Sequence, residues 1–322
     1  MDDQHAVQNT LVTNASHVSE WKEIILSGAG TGGLAILGAL QWLHEHEYLT
    51  KITRWVGTSS GAIIAILVLS GYEPVIIYRI LSQLPFKELA NDFNADSVLG
   101  LFDTMGLMEP TLVLRLYTIM LHKKGFSDTV TIQEFKARTG ADIVITGYCM
   151  STADTVTFDA ESHPNMPLIT ACRITMSVPL LFRPVVFEGK MYVAGGTIEH
   201  IPVRFAKFKR RSLVIHCYKE HPPSWPVATN LLQLTNQMKS VVGRQLENLC
   251  IADILRKRPH TVLKVTFPFV KDAYVVDFSL DTEAKRHMYE NGRKSAIEWD
   301  RSLPSQKTNQ RSDANTSVAT RC

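Results

Sequence analysis

The sequence lacks paired cysteines, a strong net charge and a recognisable secretory leader, and each absence excludes a class of protein. Its five cysteines are scattered and form no C-x-x-C motif, which argues against a disulfide framework and a zinc site and favours reduced thiols. The formal net charge over 322 residues is only +3, too weak to indicate nucleic acid as a partner. Because the start at 1–5 is acidic and polar, we expect no secretory signal and a cytoplasmic location. The cysteines are Cys149, Cys172, Cys217, Cys250 and Cys322.

A membrane-spanning segment is also missing from the predicted elements. Residues 55–72 carry no charged side chain, but glycine, serine and threonine interrupt them. Their uniformly apolar part is far shorter than the roughly 20 residues that a span needs, so we predict a buried helix after a turn. Hydrophobic residues make up 45% of the chain and charged residues 20%, as in globular proteins.

The order of predicted elements indicates an α/β fold. A short apolar strand at 23–26 leads through a glycine loop into a helix at 34–43, and a strand at 52–57 leads into a helix that starts at Ala62. This βαβα order predicts a central, mostly parallel sheet with right-handed crossovers and helices on both faces. Further strands are predicted at 142–148, 155–158, 185–193 (a hairpin), 212–218, 262–267 and 274–278. Further helices are predicted within 74–122 and at 131–138, 168–176, 227–257 and 282–299.

We expect one folded domain with two loose ends. Residues 1–20 are polar and unpatterned, which predicts a flexible arm. Residues 21–300 form the predicted domain, and no internal repeat or linker divides them. The tail, 301–322, is rich in Ser, Thr, Asn and Gln, a composition typical of disorder.

The strongest candidate motif is G-x-S-x-G at 57–61. It lies between an apolar strand and an apolar helix, with Ser59 at its centre and Gly57 and Gly61 at its ends. That context is the one a nucleophile elbow requires, because small residues let two crossing chain segments approach closely. The partial positive charge at the start of the following helix favours an alkoxide. The alternative is an ordinary Gly/Ser turn, since the motif is short.

A glycine loop lies between the first strand and the first helix, and it has two chemical interpretations. It can hold a pyrophosphate at the helix start, or its converging N–H groups can form an oxyanion hole for acyl transfer. The candidate ribose-binding acids, Glu45 and Glu47, fall at a helix end rather than at a strand tip, which disfavours the nucleotide. The neighbouring serine elbow favours acyl transfer. The loop residues are Gly28, Ala29, Gly30, Thr31, Gly32 and Gly33.

Four segments together resemble the patatin-like phospholipase family. They are 25–40, 57–62, 171–185 and 192–202, in the family's order and within 24–202. The resemblance implies hydrolysis of lipid esters by a Ser–Asp dyad without metal or cofactor. It implies Ser59 as the nucleophile and the loop 28–33 as the oxyanion hole.

Two positions depart from the family pattern. The final family motif is D-G-G or D-G-A, whereas this chain has Ala194 before Gly195 and Gly196. The loop position that usually carries Arg or Lys is Gly32. Loss of one member of such a catalytic unit typically lowers the rate by about 10⁴-fold. The chain is therefore either a naturally impaired member or one altered at this position.

Five other ionisable groups lie in or near the matching segments and are candidates to replace the missing aspartate as the base. For each, we predict a solvated loop residue, because nothing in the spacing directs it at Ser59. The groups are Asp154, Asp159, Glu161, Glu199 and His200.

Two functions follow from these observations. The first is a lipid acyl hydrolase acting on phospholipid or glycerolipid esters, impaired by Ala194. The second is a non-catalytic relative that binds lipid or a membrane partner through the same pocket. A nucleotide-binding module is a distant third. The basic run 204–211 is predicted to be a solvated face, with contact to anionic lipid headgroups as a lesser alternative. The pairs His44/His46 and His216/His221 lack further ligands at zinc spacing.

Overall fold

The computed structural model describes residues 21–85, 101, 103–219, 227–229, 231–267 and 280–303. The strands are β1 (Glu23–Leu26), β2 (Arg54–Gly57), β3 (Gly106–Met108), β4 (Asp142–Cys149), β5 (Asp154–Phe158), β6 (Leu180–Phe182), β7 (Val185–Phe187), β8 (Lys190–Ala194), β9 (Ser212–Lys219) and β10 (Val262–Phe267). The helices are α1 (Gly33–Glu45), α2 (Ser60–Leu69), α3 (Pro74–Ser82), α4 (Thr111–Lys123), α5 (Ile132–Thr139), α6 (Leu168–Met176), α7 (Leu231–Lys257) and α8 (Thr282–Ser302).

The central sheet is mostly parallel, as predicted. Strands β10, β9, β1, β2 and β4 run side by side in that order, and every neighbouring pair is parallel. The antiparallel members are β5 and the hairpin β7–β8, which pair next to β4. The predicted α/β class is therefore confirmed.

Strand β8 shares an edge of β4 with β2. Ile145 pairs with Gly57 of β2 on one side and with Phe158 of β5 on the other. Two residues later, Gly147 still pairs with β5 and now also pairs with Ala194 of β8. Because a strand has only two edges, β8 must continue the edge that β2 leaves after Gly57. The ends of β2 and β8 therefore face each other along one side of β4, about 7 Å apart.

Apolar side chains of the sheet alternate between two layers of helices. Ile24 and Leu26 of β1 belong to a large cluster with α1, α2 and α8. Ile25 between them belongs to a smaller cluster on the opposite face, with residues of α7. This alternation is the period of two expected for a strand, and it confirms helices on both faces.

The remaining predictions for secondary structure have mixed outcomes. The strands predicted at 23–26, 142–148, 212–218 and 262–267 and the hairpin are present within one or two residues. The short parallel pair of β3 with β6 was not predicted. The predicted strand at 274–278, the arm 1–20 and the tail from 304 lie outside the described residues. Helix α8 ends at Ser302.

Candidate active site

Ser59 lies on a strained turn between β2 and α2. Its backbone has φ 51° and ψ −126°, a region that residues with a side chain rarely adopt. A Cβ at Gly57 would lie 2.5 Å from the Cα of Ala62, and one at Gly61 would lie 2.5 Å from the carbonyl oxygen of Ser27. Both positions therefore need glycine. This is the geometry of a nucleophile elbow, in which strain presents the central hydroxyl above the sheet.

The glycine loop packs directly against this elbow. The Ala29 N–H donates to the Ser60 hydroxyl at 3.1 Å, and the Gly28 N–H donates to the carbonyl of His200 at 2.9 Å. The amides of Gly32 and Gly33 donate within the loop. Gly30 has φ 52°, and its N–H has no acceptor among the residues that the structure describes. Of the six predicted oxyanion-hole residues, Gly30 is thus the best placed to offer a free donor.

Ala194 is buried beside the elbow, at the end of β8. Its side chain is 2% exposed, and its N–H donates to the carbonyl of Ser177 at 2.8 Å. The next residue, Gly195, is so close to Thr146 that a Cβ would lie 2.5 Å from the threonine hydroxyl. That hydroxyl is 2.7 Å from the hydroxyl of Thr58. Thr146 therefore connects the position that lacks an aspartate with the residue preceding Ser59.

Glu199 and His200 are half-buried and have partners in the fold, so the prediction of solvated loop residues was wrong for them. The His200 ring packs on the glycine loop, where a Cβ at Gly28 would lie 3.3 Å from its Nδ1. Glu199 forms an ion pair with Arg204 at 2.6 Å, and burial raises its pKa above the usual value. The reason is that the turn after β8 folds back over the loop through the bond from Gly28 to His200.

The other three candidate bases lie at β5 and the turn that follows it, where Asp154 and Glu161 are exposed and Asp159 is half-buried. Asp154 is exposed and lies 3.4 Å from Arg204. Asp159 accepts hydrogen bonds from the amides of Glu161 and Ser162. No contact between these carboxylates and Ser59 is present in the described part of the chain.

Burial lowers the pKa of His200 below its ordinary value of 6.5, and the neighbouring His216 adds to this, whereas Glu247 opposes it. The unfolded chain therefore binds a proton on this ring more readily than the folded one. The contribution of His200 to the free energy of unfolding should be complete above pH 6.5 and should decrease as the pH falls below that value. We expect His200→Asn to lose less stability than the native chain between pH 7.5 and 5.5, measured by urea denaturation.

The matched control is His287→Asn, which changes an exposed histidine of α8. It should reproduce the native dependence on pH. Equal losses of stability in the native chain and in His200→Asn would contradict the burial of this ring.

Sequence reasoning missed a set of buried threonines around the elbow. Thr58, Thr146 and Thr175 are all fully buried. The Thr175 hydroxyl accepts the N–H of Ser59 at 2.8 Å, so it holds the strained backbone. A signal was present in the sequence, because Thr146 interrupts an otherwise apolar strand, where a polar residue needs a partner.

Two other predicted features lie away from the site. Glu45 ends α1, where a hydrogen bond from Arg293 lowers the pKa of its carboxyl, so it does not face the glycine loop. The basic run 204–211 precedes β9, and Ser212 pairs with Glu23 at the start of β1. Arg204, which begins the run, is bonded to Glu199 near the glycine loop, whereas the N–H of Lys207 donates to Glu23. Only the later part of the run therefore lies at the amino ends of the parallel strands, opposite the end that carries Ser59.

The described residues contain no group of three or more His, Cys, Asp or Glu side chains suited to a metal ion. Among the same residues, no helix combines the length and the apolar character needed to cross a membrane.

Comparison with known proteins finds a family whose model covers more than half of the chain. The model of the patatin-like phospholipase family matches residues 24–207. Probable lipid hydrolase 463L of Invertebrate iridescent virus 6 is 25% identical over 250 residues, which cover 71% of this chain and 84% of the viral protein.

Two solved structures share the fold. VipD from Legionella pneumophila superposes with a TM-score of 0.54 at 13% identity, over 88% of this chain and 67% of VipD. The type III effector ExoU gives 0.51 at 14% identity, over 88% of this chain and 53% of ExoU. The chain thus spans about half the length of ExoU.

Proposed function

Because the chain belongs to the patatin-like phospholipase family, we propose that it is a lipid acyl hydrolase with Ser59 as nucleophile and with a base position left empty by Ala194. The substrate would be an ester of a phospholipid or another glycerolipid. The family and the name of the viral relative support this substrate class. The reaction as proposed needs no metal or cofactor.

The observation that carries the proposal is the contact between the elbow and the glycine loop. The loop amide of Ala29 is bonded to Ser60, the residue directly after the strained Ser59. A substrate carbonyl placed above Ser59 would then meet the free N–H of Gly30. Amides fixed in this way stabilise a tetrahedral oxyanion without reorganising during the reaction.

The proposed chemistry proceeds in two steps. The Ser59 Oγ attacks the ester carbon, solvent water carries the serine proton to the leaving oxygen, and the alcohol departs to give an acyl-enzyme. Water then hydrolyses the acyl group and restores the serine. With alanine at position 194, no carboxylate there accepts the serine proton, so only the oxyanion donors and the start of α2 assist. We expect slow turnover in this chain.

Ala194 also favours a second candidate function. A member that has lost its base can keep the pocket as a lipid-binding site without turnover. The two candidates differ in one respect, which is whether Ser59 reacts with an ester at a measurable rate.

Labelling with a fluorophosphonate probe tests the proposal, together with hydrolysis of lipid esters. We expect the native chain to be labelled slowly at Ser59 and Ser59→Ala not to be labelled, because the strained serine is the nucleophile. Ser70→Ala is the matched control, since Ser70 is a partly buried serine at the other end of α2. It should label as the native chain does.

Three outcomes separate the candidates. Labelling that depends on Ser59 supports the hydrolase. Labelling that appears only after an aspartate is introduced at position 194 supports the non-catalytic relative. If neither the native chain nor Ala194→Asp is labelled, Ser59 is not a nucleophile, and the acyl-hydrolase function is ruled out with it.

A further inference from the structure

Among the side chains of α7 that the structure describes, the buried ones lie along one side of the helix. Ile251 and Ile254 in its second half are buried in the cluster on the second face of the sheet. Glu247, one turn earlier, is bonded to the His216 ring of β9. These contacts fix the orientation of the helix, because they determine which of its faces points inward.

The opposite face of α7 is apolar and exposed. Five large side chains recur there at i, i+4, i+7, i+8 and i+15, the spacing of a single helical face. A surface helix ordinarily turns its polar residues outward, and a contiguous exposed apolar face marks an interaction site. We call this surface the outer face of α7. Its residues and their exposed fractions are Leu234 46%, Met238 61%, Val241 43%, Val242 57% and Leu249 71%.

The outer face lies at the same end of the molecule as Ser59. Glu247 lies beside His216, while Ile254 packs in the cluster of Val214 and Val262, near the starts of their strands. Helix α7 therefore runs antiparallel to the sheet, and its first half extends towards the carboxyl ends of the strands. From Glu247 back to Leu234 the helix rises about 20 Å, whereas β9 continues only about 10 Å beyond His216.

The first half of α7 thus projects about 10 Å past the end of β9. Strand β9 adjoins the strand that leads into the glycine loop, and the Cys217 thiol contacts the carbonyl of Gly32 at 3.4 Å. The exposed apolar surface consequently stands beside the candidate active site and extends beyond it.

The charge of this segment indicates the kind of surface it meets. Residues 227–249, which include the whole outer face, contain two basic residues, Lys239 and Arg244, and one acidic residue, Glu247, which is bonded inward to His216. An exposed apolar helical face flanked by basic residues, with its acidic residue turned inward, is the pattern of helices that lie in the interface of anionic lipid.

We propose that the outer face of α7 docks on an anionic lipid bilayer and brings the Ser59 end of the sheet to the lipid. The inference that the bilayer supplies the substrate rests on the proposed function. The inference that α7 docks on the bilayer does not. The part of the basic run from Lys207 to Arg211 takes no part, since it lies at the amino ends of the strands.

Flotation of the full chain with vesicles tests the docking. We expect binding to vesicles of phosphatidylcholine with about one third phosphatidylserine, binding at least tenfold weaker to phosphatidylcholine alone, and loss of binding at high salt. The double variant Met238→Asp/Val242→Asp should bind the anionic vesicles at least tenfold more weakly, because it places two carboxylates on the apolar face. Met238→Leu should bind as the native chain does.

The matched control is Leu255→Asp, which adds a carboxylate at an exposed position at the far end of α7 and should bind normally. Circular dichroism and the thermal midpoint check that each variant folds. Equal binding by the native chain and the folded double variant would overturn the proposal. So would a stable dimer in sedimentation that the double variant abolishes while vesicles remain unbound, because the face would then be an interface between two copies.

Two further measurements separate this proposal from the proposed function. Ser59→Ala should bind vesicles as the native chain does. In a chain carrying aspartate at position 194, the double variant should keep its rate on a water-soluble short-chain ester within twofold and lose at least tenfold on vesicle lipid. If no ester is hydrolysed and the vesicles are still bound, the docking stands and the proposed hydrolase function fails.

Discussion

Ala194→Asp is expected to raise ester hydrolysis by about 10²–10⁴-fold, the contribution that a positioned general base makes. The reason is geometric. Strand β8 ends on the edge of β4 that β2 leaves at the elbow, so position 194 lies beside the residues that hold Ser59. A carboxylate there would be suited to accept the proton of the serine hydroxyl. Turnover of a short-chain ester and the rate of fluorophosphonate labelling measure the gain.

A carboxylate introduced at position 194 would be buried, a cost that a nearby cation must offset. Arg173 donates to the hydroxyl of Ser177 at 2.5 Å, and Ser177 is the residue whose carbonyl accepts the N–H of Ala194. The same guanidinium already forms an ion pair with Glu109 at 2.5 Å, so it offsets only part of the cost of burying a second carboxylate. The introduced aspartate should therefore lower the thermal midpoint without unfolding the protein.

Ala194→Asn is the control with the most similar shape. It introduces the same volume and polarity without a group that accepts a proton, so its turnover should stay at the native level. The double variant Ser59→Ala/Ala194→Asp should be inactive. A gain in Ala194→Asn equal to that in Ala194→Asp would show that position 194 acts through packing and not as a base.

The parts of the site that were predictable are those contained in one short stretch of chain. The elbow and the glycine loop each combine a strand, a tight turn and a helix, so local pattern locates them. The approach of β8 to β2 is different. It depends on pairings between Ile145 and Gly57 and between Gly147 and Ala194, which no local periodicity encodes. The position of Ala194 was reached only through the resemblance to a family.

The wrong prediction for His200 and the omission of the outer face of α7 from the predictions have the same cause. His200 follows a polar turn and reads as solvated, yet the turn folds back onto Gly28. The sequence does not reveal the outer face of α7, because apolar residues occupy both sides of the helix. The periodicity that separates a buried face from an exposed one is then weak. In both places the tertiary neighbours, rather than the residue types, decide what is exposed.

Gly38→Ala and Gly292→Ala should each lower the free energy of unfolding by about 1–3 kcal/mol, the usual cost of overpacking. These glycines lie where α1 and α8 cross. A Cβ at Gly38 would lie 1.9 Å from the carbonyl oxygen of Tyr289, and one at Gly292 would lie 1.9 Å from that of Ala35. Both obstacles are backbone atoms, so the helices must separate to admit a methyl group. Urea denaturation measures the loss.

The same substitution at Gly243 on α7 gives the opposite expectation and so serves as the control. No atom lies within 4 Å of a Cβ at that position among the described residues, and alanine is preferred over glycine in a helix by about 1 kcal/mol. Gly243→Ala should therefore stabilise the protein. If all three alanine variants were stabilised alike, α1 and α8 would have to be free to move apart. The glycine loop, which leads directly into α1, would then lack the rigid support that an oxyanion hole requires.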